Sequence, residues 1–380
     1  MSITSLNCEE REPQYVLQLC HGYGMPFHDV ARQYVTLFSG TDYRVITVFI
    51  TGEKNGEIAD YIGSDKTIFL ENSSKDIRGL KRKQIKQVSE ICKKYNFAFC
   101  IGHRFKSVYI AAHIPNLFVI GVHHAFGDYE RWHRKLFVLR HKRNIALLGV
   151  SNAVCDDIRK KLFWFPEKQV QTLYNRINVE GCRNNLVSKE EARKKLNLPE
   201  NAYVFGNVGR LHPDKDQATL LKAFALASGF IPNCLLVIVG KGRLENELKN
   251  LAEKLGISEK VIFTGVVENA SCYFNAFDSF LLSSDHEPFG MVLLEAMVAG
   301  LPMLVCNSGG APEIVSSSDC LFSLGNEVEL AEKMRKTYLL NNDELTLLKE
   351  SMSSRLIELF SDDAVRKCFW NVGFVKKLIG

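Results

Sequence analysis

The chain has 380 residues, 46% hydrophobic and 24% charged, which excludes disorder, collagen and coiled coil and leaves room for two or three packed domains. No apolar run approaches the ~20 residues of a membrane span, and the polar, acidic stretch from Met1 to Gln14 carries no signal-peptide core, so a cytosolic protein is expected. The net charge of +5 is unevenly spread: residues 1–180 carry 26 Lys+Arg against 18 Asp+Glu and the rest 22 against 25, so the first half is expected to meet something anionic.

Short β-rich runs alternate with longer helical patterns from end to end, the signature of α/β domains with parallel sheets. In the first half, strands are predicted at Tyr15–Cys20, Tyr43–Ile50, Phe97–Ile101, Leu117–Val122, Ile145–Val150 and Val170–Tyr174, with helices over Asp76–Tyr95 and Ala153–Phe163. A polar stretch, Asn175 to Asn201, follows. Further strands are predicted at Tyr203–Val208, Leu235–Val239, Val261–Phe263, Ser279–Leu282 and Met303–Val305, with helices centred near 217–228, 243–255, 290–299 and 326–340. The expected architecture is two Rossmann-like, doubly wound domains, 1–180 and 181–360, facing each other across a cleft. A C-terminal helix, 361–380, returns to the first domain. Ligands in such folds sit at the carboxyl ends of the strands. The eleven cysteines form no C-x-x-C pair, and Cys20, Cys100 and Cys234 lie inside apolar runs, so reduced core thiols are expected.

The segment from Ser283 to Met297 carries the most chemistry. A strand ends at Leu282, a polar loop follows, and Gly290 opens a helix. Unpaired N–H groups around Phe289, Gly290 and Met291 offer a seat for phosphate. Glu287 in the loop and Glu295 on the helix, eight positions later, can accept hydrogen bonds from two sets of sugar hydroxyls. From physics alone they could equally be a helix-start charge and a solvated helix residue. Upstream, Arg210 and Lys215 can place a bidentate fork and a point charge on a diphosphate. Asp214 and Asp216 invite a metal, but Lys215 separates them and they precede a helix, where acids stabilise the dipole; no metal is expected.

Together these motifs resemble the glycosyltransferase family 4 pattern, retaining enzymes of GT-B fold. Glu287-x7-Glu295 is similar to that family's E-x7-E motif, and Gly209-Arg210-Leu211…Lys215 to its phosphate-binding pair. Gly240-Lys241-Gly242, Phe263-Thr264-Gly265 and Asn307-Ser308-Gly309-Gly310…Glu313 also match. The resemblance implies that Glu295 holds the donor ribose. It also implies that Glu287 and the 289–291 backbone meet the donor sugar and diphosphate, and that Arg210 and Lys215 neutralise the leaving nucleoside diphosphate without a metal.

In the first domain, His21-Gly22-Tyr23-Gly24-Met25-Pro26 fails the dinucleotide fingerprint G-x-G-x-x-G but resembles the family's glycine loop, with Gly22 and Gly24 over the diphosphate. Val122-His123-His124 ends a strand at the cleft edge. The resemblance places a histidine near the donor sugar, His123 by preference and His124 as the fallback. The segment Arg131, Trp132, Arg134, Lys135, Arg140, Lys142, Arg143 has six Lys/Arg within thirteen residues and interleaved aromatics. It reads as a surface for anionic lipid or as a solvated helix face, and no nucleic-acid module accompanies it.

The expected function is transfer of a sugar from a nucleotide-diphosphate sugar to a glycan or lipid-linked acceptor, in lipopolysaccharide core or other envelope polysaccharide synthesis. The enzyme would work at the inner face of the cytoplasmic membrane. Glu287, His123, Arg210 and Lys215 are the expected catalytic residues, with no bound cofactor beyond the sugar nucleotide. No first-domain carboxylate presents itself as a nucleophile, which favours front-face substitution. The alternatives are a non-catalytic carbohydrate- or lipid-binding protein on the same fold, or a nucleotide-dependent dehydrogenase.

Overall fold

The computed structural model describes residues 13–24, 27–315 and 317–379; the expectations for residues 1–12 and for Met25 and Pro26 lie outside the described residues. The first sheet is built from β1 (Gln14–Cys20), β2 (Tyr43–Thr51), β3 (Lys66–Asn72), β4 (Phe97–His103), β5 (Val119–His123), β6 (Ile145–Gly149) and β7 (Val170–Thr172). Its strands are all parallel, in the order β3-β2-β1-β4-β5-β6-β7. The helices α1 (Phe27–Val35), α2 (Gly56–Ile62), α3 (Arg82–Cys92), α4 (Arg104–Ala111), α5 (Trp132–His141) and α6 (Asn152–Lys161) connect them.

Two short helices, α7 (Val179–Asn185) and α8 (Lys189–Lys195), lead into the second sheet. Its strands are β8 (Tyr203–Val208), β9 (Cys234–Val239), β10 (Val261–Gly265), β11 (Ser279–Leu282), β12 (Met303–Cys306) and β13 (Leu321–Phe322). They are parallel too, in the order β10-β9-β8-β11-β12-β13, with α9 (Gln217–Ala227), α10 (Glu245–Lys254) and α11 (Met291–Val298) as crossovers and α12 (Glu327–Tyr338) following β13. The chain ends in α13 (Asn342–Arg355), α14 (Asp362–Asn371) and α15 (Gly373–Ile379).

The central strands read as unbroken apolar runs because helices cover both faces of each sheet. Val16, Leu17, Leu19, Ile46, Val48 and Phe49 are all fully buried. The edge strand β3 was not expected from the sequence. Its side chains are mostly half-buried or exposed, so Lys66 to Asn72 never forms a fully apolar run. The first-sheet helix α4 escaped for the opposite reason. Phe105, Ser107, Val108, Ile110 and Ala111 are all buried, which removes the polar face that betrays a helix. The polar stretch 175–201 holds α7 and α8, and buries Arg193 against Asp278 at 2.7 Å.

The chain passes between domains twice. After α13, the segment Leu356–Phe360 brings it back, and α14 packs on the first domain. The Trp370 indole N–H donates to Leu37 O at 2.9 Å, and the Phe369 ring lies 5.6 Å from that of Phe38. The two passages touch: Ile177 N–H donates to Phe360 O at 3.0 Å. Strand order reverses at β1/β4 in one sheet and β8/β11 in the other, which places a ligand crevice at the carboxyl ends of these four strands.

Candidate active site

In the second domain the chain leaves β8 at Gly209-Arg210 and β11 at Ser283, on either side of the switch point. Three loops lock together there. Gly240, with φ +138°, lies so close to the β8 loop that a Cβ on it would stand 2.0 Å from Gly209 O. Ser283 Oγ donates to Lys215 O at 2.8 Å, and Asp285 N–H donates to Asp214 O at 3.0 Å. Gly310 N–H donates to Glu287 O at 2.8 Å, and a Cβ on Gly309 (φ +64°) would stand 2.3 Å from that same oxygen. Only glycine fits at Gly240 and Gly309, and the backbone of Glu287 is thereby fixed from below.

The side chains follow from that frame. Lys215 Nζ donates to Glu287 Oε2 at 2.5 Å, with both side chains largely buried at 17% and 11% exposure. Gly290, at φ +101°, caps α11 without a side-chain bond. Among the described residues the N–H groups of Phe289, Gly290 and Met291 have no partner. Arg210 is open to solvent at 73% exposure and pairs loosely with Asp214 at 3.6 Å. Asp214 is also bonded to His212, and Asp216 caps α9 through Thr219. Both carboxylates are thus engaged locally, and no group of three His, Cys, Asp or Glu converges among the described residues. Glu295 lines a small cavity with Cys182, Asn185, Leu186, Ser271, Cys272 and Val298. Its carboxyl is pushed up to about 7, first by burial and then by the Asp29 carboxylate of α1. Among the described residues it has no hydrogen-bond partner.

Residues 188–354 match the family described as Glycosyl transferases group 1. Over this stretch the second domain is similar to group 1 glycosyl transferases. The lipopolysaccharide core biosynthesis glycosyltransferase LpsD of Rhizobium meliloti is 33% identical over 147 residues, 38% of this chain and 42% of its own. The UDP-Gal:alpha-D-GlcNAc-diphosphoundecaprenol alpha-1,3-galactosyltransferase of Escherichia coli is 27% identical over 278 residues, 68% of this chain and 70% of that one. The chain spans less than half the length of several curated relatives that it matches. Anabaena Alr3699/HepE, solved in complex with UDP-glucose, has a TM-score of 0.74 at 18% identity, covering 95% of this chain and 99% of its own. The fold is GT-B.

Across the cleft from the second domain, the β1 loop is pinned by Thr51, whose N–H and hydroxyl donate to His21 O at 2.9 and 2.6 Å. A Cβ on Gly22 would meet Thr51 Oγ1 at 2.8 Å, whereas Gly24 faces open space. His123 departs from expectation. It is fully buried, with Nδ1 on Asp128 at 2.7 Å and Nε2 on Tyr129 Oη at 3.0 Å. Both ring nitrogens are engaged inside the domain, so His123 does not reach the sugar side of the cleft in this structure. His124 is the half-exposed neighbour, and its Nε2 lies 3.2 Å from His103 Nδ1. Burial first, and then His123 and Arg104, push its pKa down to about 3.

The basic segment forms α5, with Trp132, Leu136 and Leu139 exposed at 73%, 55% and 44% along one stripe. Arg131, Arg140, Lys142 and Arg143 are exposed and Lys135 is half-exposed. Arg134 is a correction: it turns inward, donating to Asp128 O at 2.7 Å and Oδ1 at 3.1 Å.

One residue gained a role that its motif did not disclose. Glu313 of the second domain reaches the N-terminus of α6 in the first domain. Its carboxylate accepts from Asn152 N–H and Ala153 N–H, both at 2.8 Å, and from Tyr174 Oη at 3.1 Å. Burial and then Glu313 push the Tyr174 phenol up to about 12, so it stays a donor. The only sequence signal was the capping serine Ser151, whose side chain accepts from Val154 N–H.

Proposed function

We propose that this chain is a retaining, metal-independent glycosyltransferase that moves a sugar from a nucleotide-diphosphate donor to a glycan or lipid-linked acceptor of the cell envelope. The observation that carries the reading is the Lys215–Glu287 pair at 2.5 Å, set beside the unpartnered amides at the start of α11. A diphosphate arriving there would draw Lys215 and the exposed Arg210 onto its oxygens and accept the free N–H groups. Negative charge grows on the diphosphate as the glycosidic bond breaks, so these donors act most strongly in the transition state. Glu287, released from Lys215, is then free to accept from sugar hydroxyls. Glu295, half-buried and without a hydrogen-bond partner among the described residues, suits the ribose diol. The one carboxylate beside His123, Asp128, is bound to that histidine and to Arg134, which favours front-face substitution over a covalent intermediate. The exposed Trp132, Leu136 and Leu139, flanked by Lys135, Arg140, Lys142 and Arg143, support docking of α5 on an anionic bilayer.

Isothermal titration with UDP, GDP and ADP, followed by hydrolysis assays with the matching sugar nucleotides, tests this. One nucleoside diphosphate should bind and its sugar should be released, with rates unchanged by EDTA. A protein that binds none of them is not this enzyme. Loss of turnover on chelation would restore a metal at Asp214 and Asp216.

A further inference from the structure

Three helices of the first domain start at the cleft end of the sheet with charges opposite to those a helix start favours. Acidic side chains normally occupy the first turn, where they offset the positive end of the dipole. In α3, α4 and α5 no acid stands in the first turn, and no side chain caps the free N–H groups. Basic residues stand there instead: Lys81 at the start of α3, Arg104 and Lys106 on α4, and Arg134 on α5. Lys81 and Arg104 also adopt positive φ, +51° and +68°, the left-handed conformation that non-glycine residues avoid.

Three of these four cations rest against aromatic rings. The Arg104 guanidinium lies 3.9 Å from the Phe27 ring centre, Lys81 Nζ 4.7 Å from that of Tyr109, and the Arg134 guanidinium 4.6 Å from that of Phe105. An aromatic face fixes a cation while leaving its charge and most of its donors available. Among the described residues, neither Lys81, Arg104 nor Lys106 has a carboxylate within ion-pair distance; only Arg134 does, at Asp128. The charges feel one another: burial, then Arg104, Arg134 and Arg78, holds the Lys106 ammonium below its usual range. Burial, then Lys106 and Arg134, does the same to Lys81.

The floor of the cluster is also unsatisfied. Among the described residues, Nε2 of His103, 3% exposed, has no partner, and neither does Nδ1 of His21, just after β1. Burial, then Lys106 and Arg104, lowers the His21 pKa to about 4, and burial lowers that of His103 too, so both rings stay neutral and add no further positive charge to the cluster. On the same side of the first sheet, Phe126, just after β5 and two residues before Asp128, packs at 6.1 Å against His286, just before Glu287.

We propose that Lys81, Arg104 and Lys106 form a subsite for a phosphate or diphosphate group carried by the acceptor. Three unpaired cations exceed what one carboxylate of an acidic sugar would balance, and they match a group bearing two or more negative charges. The reading rests on the glycosyltransferase assignment, because it makes the cluster the acceptor half of the same cleft. The phosphate can come from a soluble sugar phosphate or from a lipid diphosphate, and the exposed stripe of α5 favours the lipid.

Titration of inorganic pyrophosphate into full-length protein saturated with its nucleoside diphosphate tests the subsite, because the donor site is then filled. Wild type should bind, and Lys81→Gln/Lys106→Gln should bind at least tenfold more weakly while keeping nucleoside-diphosphate affinity within twofold. If the double variant loses nucleotide binding as well, the single Lys106→Gln variant supplies the same comparison. Equal pyrophosphate affinity in wild type and variant, or no second site in wild type, overturns the proposal and leaves the donor assignment standing. Failure of wild type to bind any nucleoside diphosphate instead removes the glycosyltransferase reading itself. Competition against bound pyrophosphate by glucose 1-phosphate, and by a polyprenyl diphosphate in phosphatidylcholine vesicles, then separates the soluble source from the lipid one.

Discussion

Substitution of Lys215 by alanine probes the donor site most directly, because the residue has two jobs. In the free protein it balances Glu287 in a pair whose members are only 17% and 11% exposed. Removing one partner of such a pair strands the other charge, at a cost of about 3 kcal/mol or more. In the complex it supplies a charge-assisted hydrogen bond to phosphate worth roughly 1.5–3 kcal/mol, or about 10- to 150-fold in dissociation constant. Lys215→Ala should therefore melt earlier and bind the nucleoside diphosphate at least tenfold more weakly, since the stranded carboxylate also repels it. Glu287→Gln should behave differently. It frees Lys215 for the diphosphate, so nucleotide affinity should hold or improve while turnover falls. The double variant should recover much of the melting temperature lost in Lys215→Ala, since no buried charge is left over. Thermal unfolding, titration calorimetry and steady-state rates on the four proteins complete the cycle. Additive effects of the two substitutions on stability would show that the pair is not coupled and would refute the reasoning.

Three further outcomes are expected. Because the Glu295 pKa stands at about 7, nucleotide affinity should rise as pH goes from 6 to 8, where the carboxylate ionises to receive ribose hydroxyls. Its raised pKa also means that wild-type stability falls as pH climbs from the ordinary carboxylate range through 7; Glu295→Gln should flatten both profiles, and an unchanged affinity profile would remove the ribose role. Glu313→Ala should release a contact between the domains worth about 1–2 kcal/mol and enlarge the radius of gyration in small-angle scattering; an identical curve would mean that the clasp does not hold the cleft. Wild type should co-sediment with anionic vesicles at low salt but not high salt, and replacing Trp132, Lys135, Arg140 and Lys142 with Ser should abolish this without changing nucleotide affinity; equal sedimentation would make α5 a solvated face.

The candidate donor residues were legible as a group because they are local in sequence. Glu287, Gly290 and Glu295 lie on one loop and helix, and Arg210 and Lys215 on one turn, so spacing alone groups them. The strand ends were legible for the same reason, since central parallel strands are continuous apolar runs. Elements that depend on distant partners were not. Strand β3 looks polar until β2 is placed beside it, and α4 lacks an amphipathic pattern because it is enclosed on nearly every side. His123 looked like a cleft residue by position, and only the fold shows Asp128 and Tyr129 closing over it. Glu313 meets residues some 160 positions away, at Asn152 and Ala153, a separation that no window of sequence spans.

The double passage between the domains has a mechanical consequence. Glu313 could be undone by a modest force, but the halves would remain joined by two chain segments that are bonded to each other at Ile177 and Phe360. A single tether permits swivelling; two tethers fastened side by side act like the leaves of a door hinge and leave chiefly one angle to vary. Each opening and closing would then return Lys215 and Arg104 to the same mutual alignment. Lengthening one leaf by a few glycines after Asn175 should cost the protein its registry long before it costs its fold.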